Sequence, residues 1–298
     1  MSTNSKNRNE KKILIIGGSG FIGRNSIIKF TEYHIGKLIN MDKEISGLGI
    51  KTIYIDLKFP ILSEIRKFAP DYIIYLASLN ETESDNFDLA YKINVTGLEY
   101  ILQELIDYEN LKKFIYVSDY KLYTDPLPFT EHSDIQTNNN YLKTKYEAEK
   151  VCTKYINQFG FPIIIFRASS IYGPYDRKNS DIISSYIKSA YTNKYIEILN
   201  NNIYDYLYIT DFIRAIILSF DTLYTGIINI GSGQGFENIN IARYIAFKLN
   251  ISYAVKNNTV YEIHVNDITN IKNVLSWSPE ISISKGIDKT MTYFKSSL

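Results

Sequence analysis

An α/β fold is predicted, a doubly wound parallel sheet with a smaller lobe interleaved on its C-terminal side, and three observations predict it. Strand-like apolar runs alternate with longer helical patterns through the first two-thirds of the 298 residues, the order that βαβ units leave in a sequence. Several runs are apolar at nearly every position, as strands covered on both faces by helices must be. Beyond residue 170 the pattern loosens. The expected division is a main domain over 1–170 and a lobe over 171–298, with Asp205–Asp211 and Gly226–Ile230 returning to the main domain.

The candidate strands are Ile13–Ile16, Lys37–Met41, Thr52–Ile55, Tyr72–Leu76, Phe114–Val117 and Ile163–Arg167. A helix from about Phe21 to Thr31 follows the first strand directly. A second, from about Asn86 to Tyr108, carries Leu89, Ile93, Leu98, Ile101 and Leu105 toward one side. A third spans about Tyr141 to Phe159 and stops near Gly160 and Pro162. In the looser region come a helix from about Asp181, a strand at Asp205–Ile209, a helix from Asp211 and an apolar run at Gly226–Ile230.

Composition narrows the function classes. A net charge of +1, with acids and bases spread along the chain, makes no basic stripe for nucleic acid. Met1–Lys12 is polar and basic, and the apolar run behind it is too short for a signal or membrane segment, so a cytoplasmic protein is expected. The single cysteine, Cys152, cannot form an internal disulfide, and His34, His132 and His264 lack metal-ligand spacing. The 26 tyrosines fall in strands, helices and loops alike, so they mark no single groove.

The first strand runs into Gly17-Gly18-Ser19-Gly20-Phe21-Ile22-Gly23, whose glycines at 17, 20 and 23 have GxxGxxG spacing. Glycines allow the tight strand-to-helix turn and a close approach to a pyrophosphate, which the helix N-terminus attracts through free N–H groups and its dipole. Asp42, at the end of the second strand, can accept from both hydroxyls of an adenine ribose, so NAD is preferred over NADP; Lys43 beside it could turn toward a 2′-phosphate. Asp56 suits either an adenine amino group or a turn cap. Tyr141 and Lys145 form YxxxK, one turn apart on one helix face. An ammonium beside a tyrosine hydroxyl favours phenolate, the state an acid/base needs.

Together these residues resemble the extended short-chain dehydrogenase/reductases, the NAD-dependent epimerase/dehydratase family of nucleotide-sugar enzymes. The likeness runs through GGSGFIG at 17–23, Asp42, Asp56-Leu57, DYIIYLAS at 71–78, Asn94 with Gly97, FIYVS at 114–118, and Tyr141 with Lys145 and Glu149. It continues through Arg167, IYGP at 171–174, DYLYITD at 205–211, INIGSG at 228–233 and LSWSPEISISKGI at 275–287. The resemblance implies a Rossmann-type domain for NAD, a C-terminal substrate-binding lobe for a nucleotide-activated sugar, and a homodimer. It implies Gly17, Gly20, Phe21 and Ile22 on the pyrophosphate, with Gly23, Leu57 and Asn94 also at the cofactor. Leu76, Ala77 and Ser78 would lie along the nicotinamide, Lys145 on its ribose, and Tyr141 would be the acid/base.

Three positions depart from the family pattern. Where relatives carry Ser or Thr after the fifth strand, this chain has Asp119, with Ser118 one place early. An ionised aspartate accepts from a sugar hydroxyl but cannot donate to a developing carbonyl; its other reading is a turn cap. Tyr204 stands where many relatives have an arginine that grips the substrate pyrophosphate, and Ser170 where they often have Asn. With Ser78 and Tyr120, these residues are the expected substrate contacts. The sequence Asp119-Tyr120-Lys121 argues against a 4,6-dehydratase, whose members place Thr-Asp-Glu there. The expected activity is NAD-dependent chemistry at a sugar carbon, C4, ending in epimerisation. The alternatives are a 4-ketosugar reductase resembling those that act on CDP-sugars, and a non-catalytic dinucleotide-binding protein.

Overall fold

In a computed structural model, the structure describes residues 10–60, 62–124, 127–176, 181–257, 259–260 and 262–297; the first nine residues of the polar N-terminal stretch lie outside them. The chain forms two compact units. One comprises residues 1–117, 138–165 and 223–226, the other 118–137, 166–222 and 227–298.

The first unit opens with β1 (Lys12–Ile16), α1 (Phe21–Glu32), β2 (Lys37–Asp42), β3 (Lys51–Tyr54), α2 (Ser63–Phe68) and β4 (Tyr72–Tyr75). Then come α3 (Phe87–Tyr91), a π-helical turn at Lys92–Thr96, α4 (Gly97–Glu104), β5 (Lys113–Asp119), α5 (Asn140–Phe159) and β6 (Ile163–Ala168). β1 pairs in parallel with β2 and with β4, and the register continues from β2 to β3 and from β4 to β5. Ile13–Ile16, Tyr72–Tyr75 and Ile163–Phe166 are buried, the two-sided burial that their uninterrupted apolar sequence requires. The single helix expected from Asn86 to Tyr108 is three segments, because the π turn inserts a wide loop of backbone around Asn94. Helix α5 matches its expected span; Asn139 caps its start by accepting from Leu142 N at 2.8 Å, and Gly160 ends it with φ +67°.

The second unit adds β7 (Ser170–Tyr172), α6 (Ile182–Asn193), β8 (Tyr195–Ile198), β9 (Ile203–Tyr208), α7 (Ile209–Ser219) and β10 (Gly226–Ile230). It closes with β11 (Gly235–Glu237), α8 (Asn238–Leu249), β12 (Ser252–Val255), β13 (Ile263–His264), α9 (Thr269–Leu275) and α10 (Ile283–Ser297). Strand β9 is flanked by β11 and β13 and also pairs with β7; β8 pairs with β12. Asp205–Asp211 therefore begins in β9 and runs into α7, starting two residues after the strand does.

The central parallel sheet has seven strands in the order β10-β6-β5-β4-β1-β2-β3. The order reverses between β4 and β1, and ligands of open α/β sheets gather outside the carboxyl ends of the strands at such a switch point.

Candidate active site

At that switch point β1 runs straight into the glycine loop. Gly17 has φ +87°, its N–H donates to Met41 O at 2.8 Å, and a Cβ on it would lie 2.6 Å from Ala77 N. Only glycine allows this crossing of the loop and the residues after β4. Gly23 brings α1 against the loop, since a Cβ there would sit 2.4 Å from Gly18 Cα. Gly20 differs: a Cβ on it would meet only Gly17 O, at 3.5 Å, so its Cα faces open space at the start of α1. Phe21 and Ile22, the first residues of that 12-residue helix, are partly exposed. An open glycine before the unsatisfied amides of a helix start fits a pyrophosphate.

Asp42 closes β2. Its Oδ2 accepts from Ser19 N at 2.9 Å and its Oδ1 from Glu44 N at 3.0 Å, while Lys43 is exposed. Asp56 performs the turn-cap role, accepting from Lys58 N at 2.9 Å, with Lys58 Nζ 3.4 Å away. Leu57 is buried under α4, where a Cβ on Gly97 would meet its Cβ at 2.9 Å. Sequence reasoning missed Asn40, a buried amide bonded to Gly18 N and Ser19 Oγ. Its signal was a polar residue inside the apolar run Leu38–Met41.

Helix α5 places Tyr141 and Lys145 on one face. Lys145 is buried; its Nζ donates to Val117 O at 3.0 Å and lies 5.7 Å from the Tyr141 ring centroid and 5.3 Å from that of Tyr116. Asn94 accepts from Leu79 N at 2.7 Å and donates to Thr144 Oγ1 at 2.9 Å; Thr144 in turn donates to Tyr141 O at 2.8 Å. The amide of Asn94 thus fastens the segment after β4 to the turn of α5 that carries the pair. Thr144 is a second residue that sequence reasoning missed. Within that segment Leu76 N continues the ladder to Ile16 O at 2.8 Å, and Ser78 Oγ donates to Leu79 O at 2.9 Å.

The other predicted residues belong to the second unit. Ser118 is buried, and its Oγ has no hydrogen-bond partner among the described residues. Asp119 accepts from Lys121 N at 2.9 Å, capping the 3₁₀ turn Tyr120–Leu122. Tyr120 is buried, with its Oη 2.9 Å from Ser170 Oγ, and burial pushes its phenol well above the ordinary range. Tyr204 donates to the Glu262 carboxylate and accepts from Asn202 Nδ2 at 2.9 Å. His264, its register partner on β13, lies 5.7 Å from it ring to ring and 5.2 Å from Tyr120, edge-on. The fold thus gathers Tyr120, Ser170 and Tyr204 around a histidine that sequence reasoning had considered only as a metal ligand. Among the described residues no group of three His, Cys, Asp or Glu could hold a metal ion, and no helix is long and apolar enough to cross a membrane.

Sheet order and loop define a dinucleotide-binding α/β protein of the Rossmann type. The model of the NAD dependent epimerase/dehydratase family matches residues 13–231, and the chain belongs to that family. A dTDP-D-glucose 4,6-dehydratase of Dictyostelium discoideum is 32% identical, over 81% of this chain and 62% of that protein. A UDP-glucuronate 4-epimerase of Thermodesulfobacterium geofontis is 30% identical, over 69% and 66%. This chain therefore spans just under two-thirds of the length of either relative. The solved UDP-glucuronic acid 4-epimerase of Bacillus cereus, in complex with UDP-glucuronic acid and NAD, superposes with a TM-score of 0.86 over 97% of this chain and all of that one, at 22% identity. That likeness is one of fold.

Proposed function

We propose that the protein interconverts nucleotide sugars that differ in configuration at C4, with Tyr141 as acid/base. The observation that carries this reading is the Tyr141–Lys145 pair, with Lys145 anchored to Val117 O at 3.0 Å and its ammonium beside the Tyr141 ring. NAD, when bound, supplies the hydride acceptor and donor. Tyr141 Oη would take the proton of the sugar hydroxyl as its carbon is oxidised and return it on reduction, and Lys145 would hold the ribose hydroxyls and favour the phenolate by its charge. Gly17, Gly20, Phe21 and Ile22 would bind the pyrophosphate, Asp42 the adenine ribose, and Leu76, Ala77 and Ser78 the nicotinamide. Asp119, Tyr120, Ser170 and Tyr204 would face the sugar nucleotide in a homodimer.

Relatives named both as 4,6-dehydratases and as a 4-epimerase leave the reaction to the site residues. Elimination in the dehydratases uses Thr-Asp-Glu, and this chain has Asp119-Tyr120-Lys121 instead. That Ser118-Asp119 pattern also supports a second reading, a 4-ketosugar reductase. Incubation with UDP-, dTDP- and CDP-hexoses, followed by proton NMR, separates the readings. The C4 epimer formed without net change in added NADH is expected. Stoichiometric NADH consumption would establish the reductase, and a 4-keto-6-deoxy product would overturn both.

A further inference from the structure

Strand β2 carries a polar amide where its neighbours are apolar: Ile39, Asn40 and Met41 are all buried, and Asn40 has no exposed surface. Burying an amide is favourable only when its hydrogen bonds are made, so its partners show what it does. Its Oδ1 accepts from Gly18 N at 2.9 Å. Its Nδ2 donates to Ser19 Oγ at 3.1 Å and to Thr52 Oγ1, on β3, at 3.3 Å. Ser19 Oγ donates onward to Glu44 O at 2.6 Å, and Ser46 Oγ lies 3.5 Å from Thr52 Oγ1. The Gly18 N–H requires an acceptor, which fixes the amide with oxygen toward the loop and nitrogen toward the two hydroxyls.

We infer that Asn40 is a positioning residue of the cofactor site, holding the backbone of the glycine loop in the shape that receives the pyrophosphate. Two consecutive loop residues hang on this one side chain. Through Ser19 and Glu44 it also ties the loop to the segment after Asp42, so the two ends of the adenosine diphosphate site share one buried network. An apolar side chain would suit the strand equally well by packing and propensity, but it would leave Gly18 N without its acceptor and free Ser19 Oγ to turn away. The loop would then have to be ordered when ligand binds, a cost drawn from affinity.

The inference rests on the glycine loop being the pyrophosphate site, and the experiment separates the two. Affinities for NAD⁺, ADP and adenosine are measured by calorimetry or ligand-observed NMR on the full chain and on Asn40→Leu, Ser19→Ala and Gly20→Val. Gly20→Val adds bulk where the fold leaves room, so it blocks only a ligand. Asn40→Leu removes the bonds to Gly18 N, Ser19 Oγ and Thr52 Oγ1 and should weaken NAD⁺ and ADP about tenfold, and adenosine less than about twofold, since adenosine has no pyrophosphate. Ser19→Ala should show the same split at about threefold, and it carries the test if Asn40→Leu does not fold. Unchanged NAD⁺ affinity, or an equal loss for all three ligands with a lower Tm, would overturn the positioning role. If Gly20→Val leaves NAD⁺ binding intact, the loop is not the pyrophosphate site and the inference falls with that reading.

Discussion

The glycine loop and the β9–β13 region hold their polar groups by different means. At the loop, backbone is held: Gly18 N by Asn40, Ser19 N and Glu44 N by Asp42, and Gly17 N by Met41 O. Around β9, side chains hold one another: Tyr204 with Glu262 and Asn202, Tyr120 with Ser170, and His264 among the rings. Backbone amides are the same in every sequence, so a site built on them needs only a few fixed residues to shape the turn. A site built of side-chain pairs changes its chemistry whenever one partner changes. On the proposed function, the first kind would serve the cofactor and the second the choice of substrate.

The largest effect should come from the tyrosine–lysine pair, two side chains of which one, Lys145, is anchored to backbone at Val117 O. Tyr141→Phe removes one oxygen and leaves the loop bonds untouched. Turnover should fall by about 10² to 10⁴-fold with NAD⁺ affinity nearly unchanged, measured by steady-state kinetics and calorimetry. Retention of more than about a tenth of the activity would remove Tyr141 as the acid/base. Lys145→Ala should damage both turnover and cofactor binding.

Asp119 tests the side-chain half. Its bond to Lys121 N makes it a turn cap, and a carboxylate with two oxygens can cap with one and accept a substrate hydroxyl with the other. Asp119→Ala should cost on the order of 1 to 3 kcal/mol in kcat/KM, and Asp119→Asn, which keeps an acceptor and a good capping group, clearly less. A lower Tm with unchanged kcat/KM in Asp119→Ala would leave it a cap alone.

The same contrast explains which parts were legible. β1, β4, β5 and β6 showed in sequence because burial on both faces forces unbroken apolar runs, whereas the edge strand β3 is exposed or half-buried throughout; β1, β2, β4, β5 and β6 lie within two residues of the expected ends. The glycine loop showed because Gly17 and Gly23 are held by close approach, which leaves a spacing. Asn86–Tyr108 read as one helix because apolar spacing does not mark a π turn; Leu89, expected on the buried side, is exposed before the turn, and Leu98, Ile101 and Leu105 are buried after it. Strands β7, β8 and β11 to β13 were missed because each is two to four residues long and none has the unbroken apolar run that marks the equally short β4. His264, Glu262 and Asn202 meet Tyr204 through strand pairing and bends that no local pattern records.

A buried acid pair in the second unit should make stability depend on pH. Asp181 caps α6, accepting from Ser184 N at 3.0 Å and Ser184 Oγ at 2.6 Å. Burial, and then the charge of buried Asp176, push its carboxyl up to about 8. A raised acid is protonated in the folded state while the unfolded chain ionises near 4, so its stabilising contribution is complete below that value and is lost as pH rises through about 8. Stability should therefore fall as pH rises from 6 to 8, read by denaturant unfolding. Asp181→Asn keeps a capping side chain and cannot ionise, so its profile should be flatter; matching slopes would place the proton elsewhere.

The smallest effect concerns cofactor choice. Both Asp42 oxygens already accept from backbone N–H groups, Ser19 on one side and Glu44 on the other, at 2.9 and 3.0 Å. The carboxylate is therefore held in place and cannot swing aside for a 2′-phosphate, although each oxygen keeps a lone pair for a ribose hydroxyl. Lys43, next to Asp42, is exposed, so a phosphate would gain from it only a solvent-screened attraction. NAD(H) should bind about tenfold more tightly than NADP(H), equivalent to ~1.4 kcal/mol. Calorimetric titration of both cofactors checks this, and the same titration on Lys43→Ala identifies the controlling group. If the preference is set by the fixed carboxylate, Lys43→Ala leaves the ratio within about twofold of the parent. Equal affinity for the two cofactors in the parent, lost in Lys43→Ala, would give control of the pocket to the lysine.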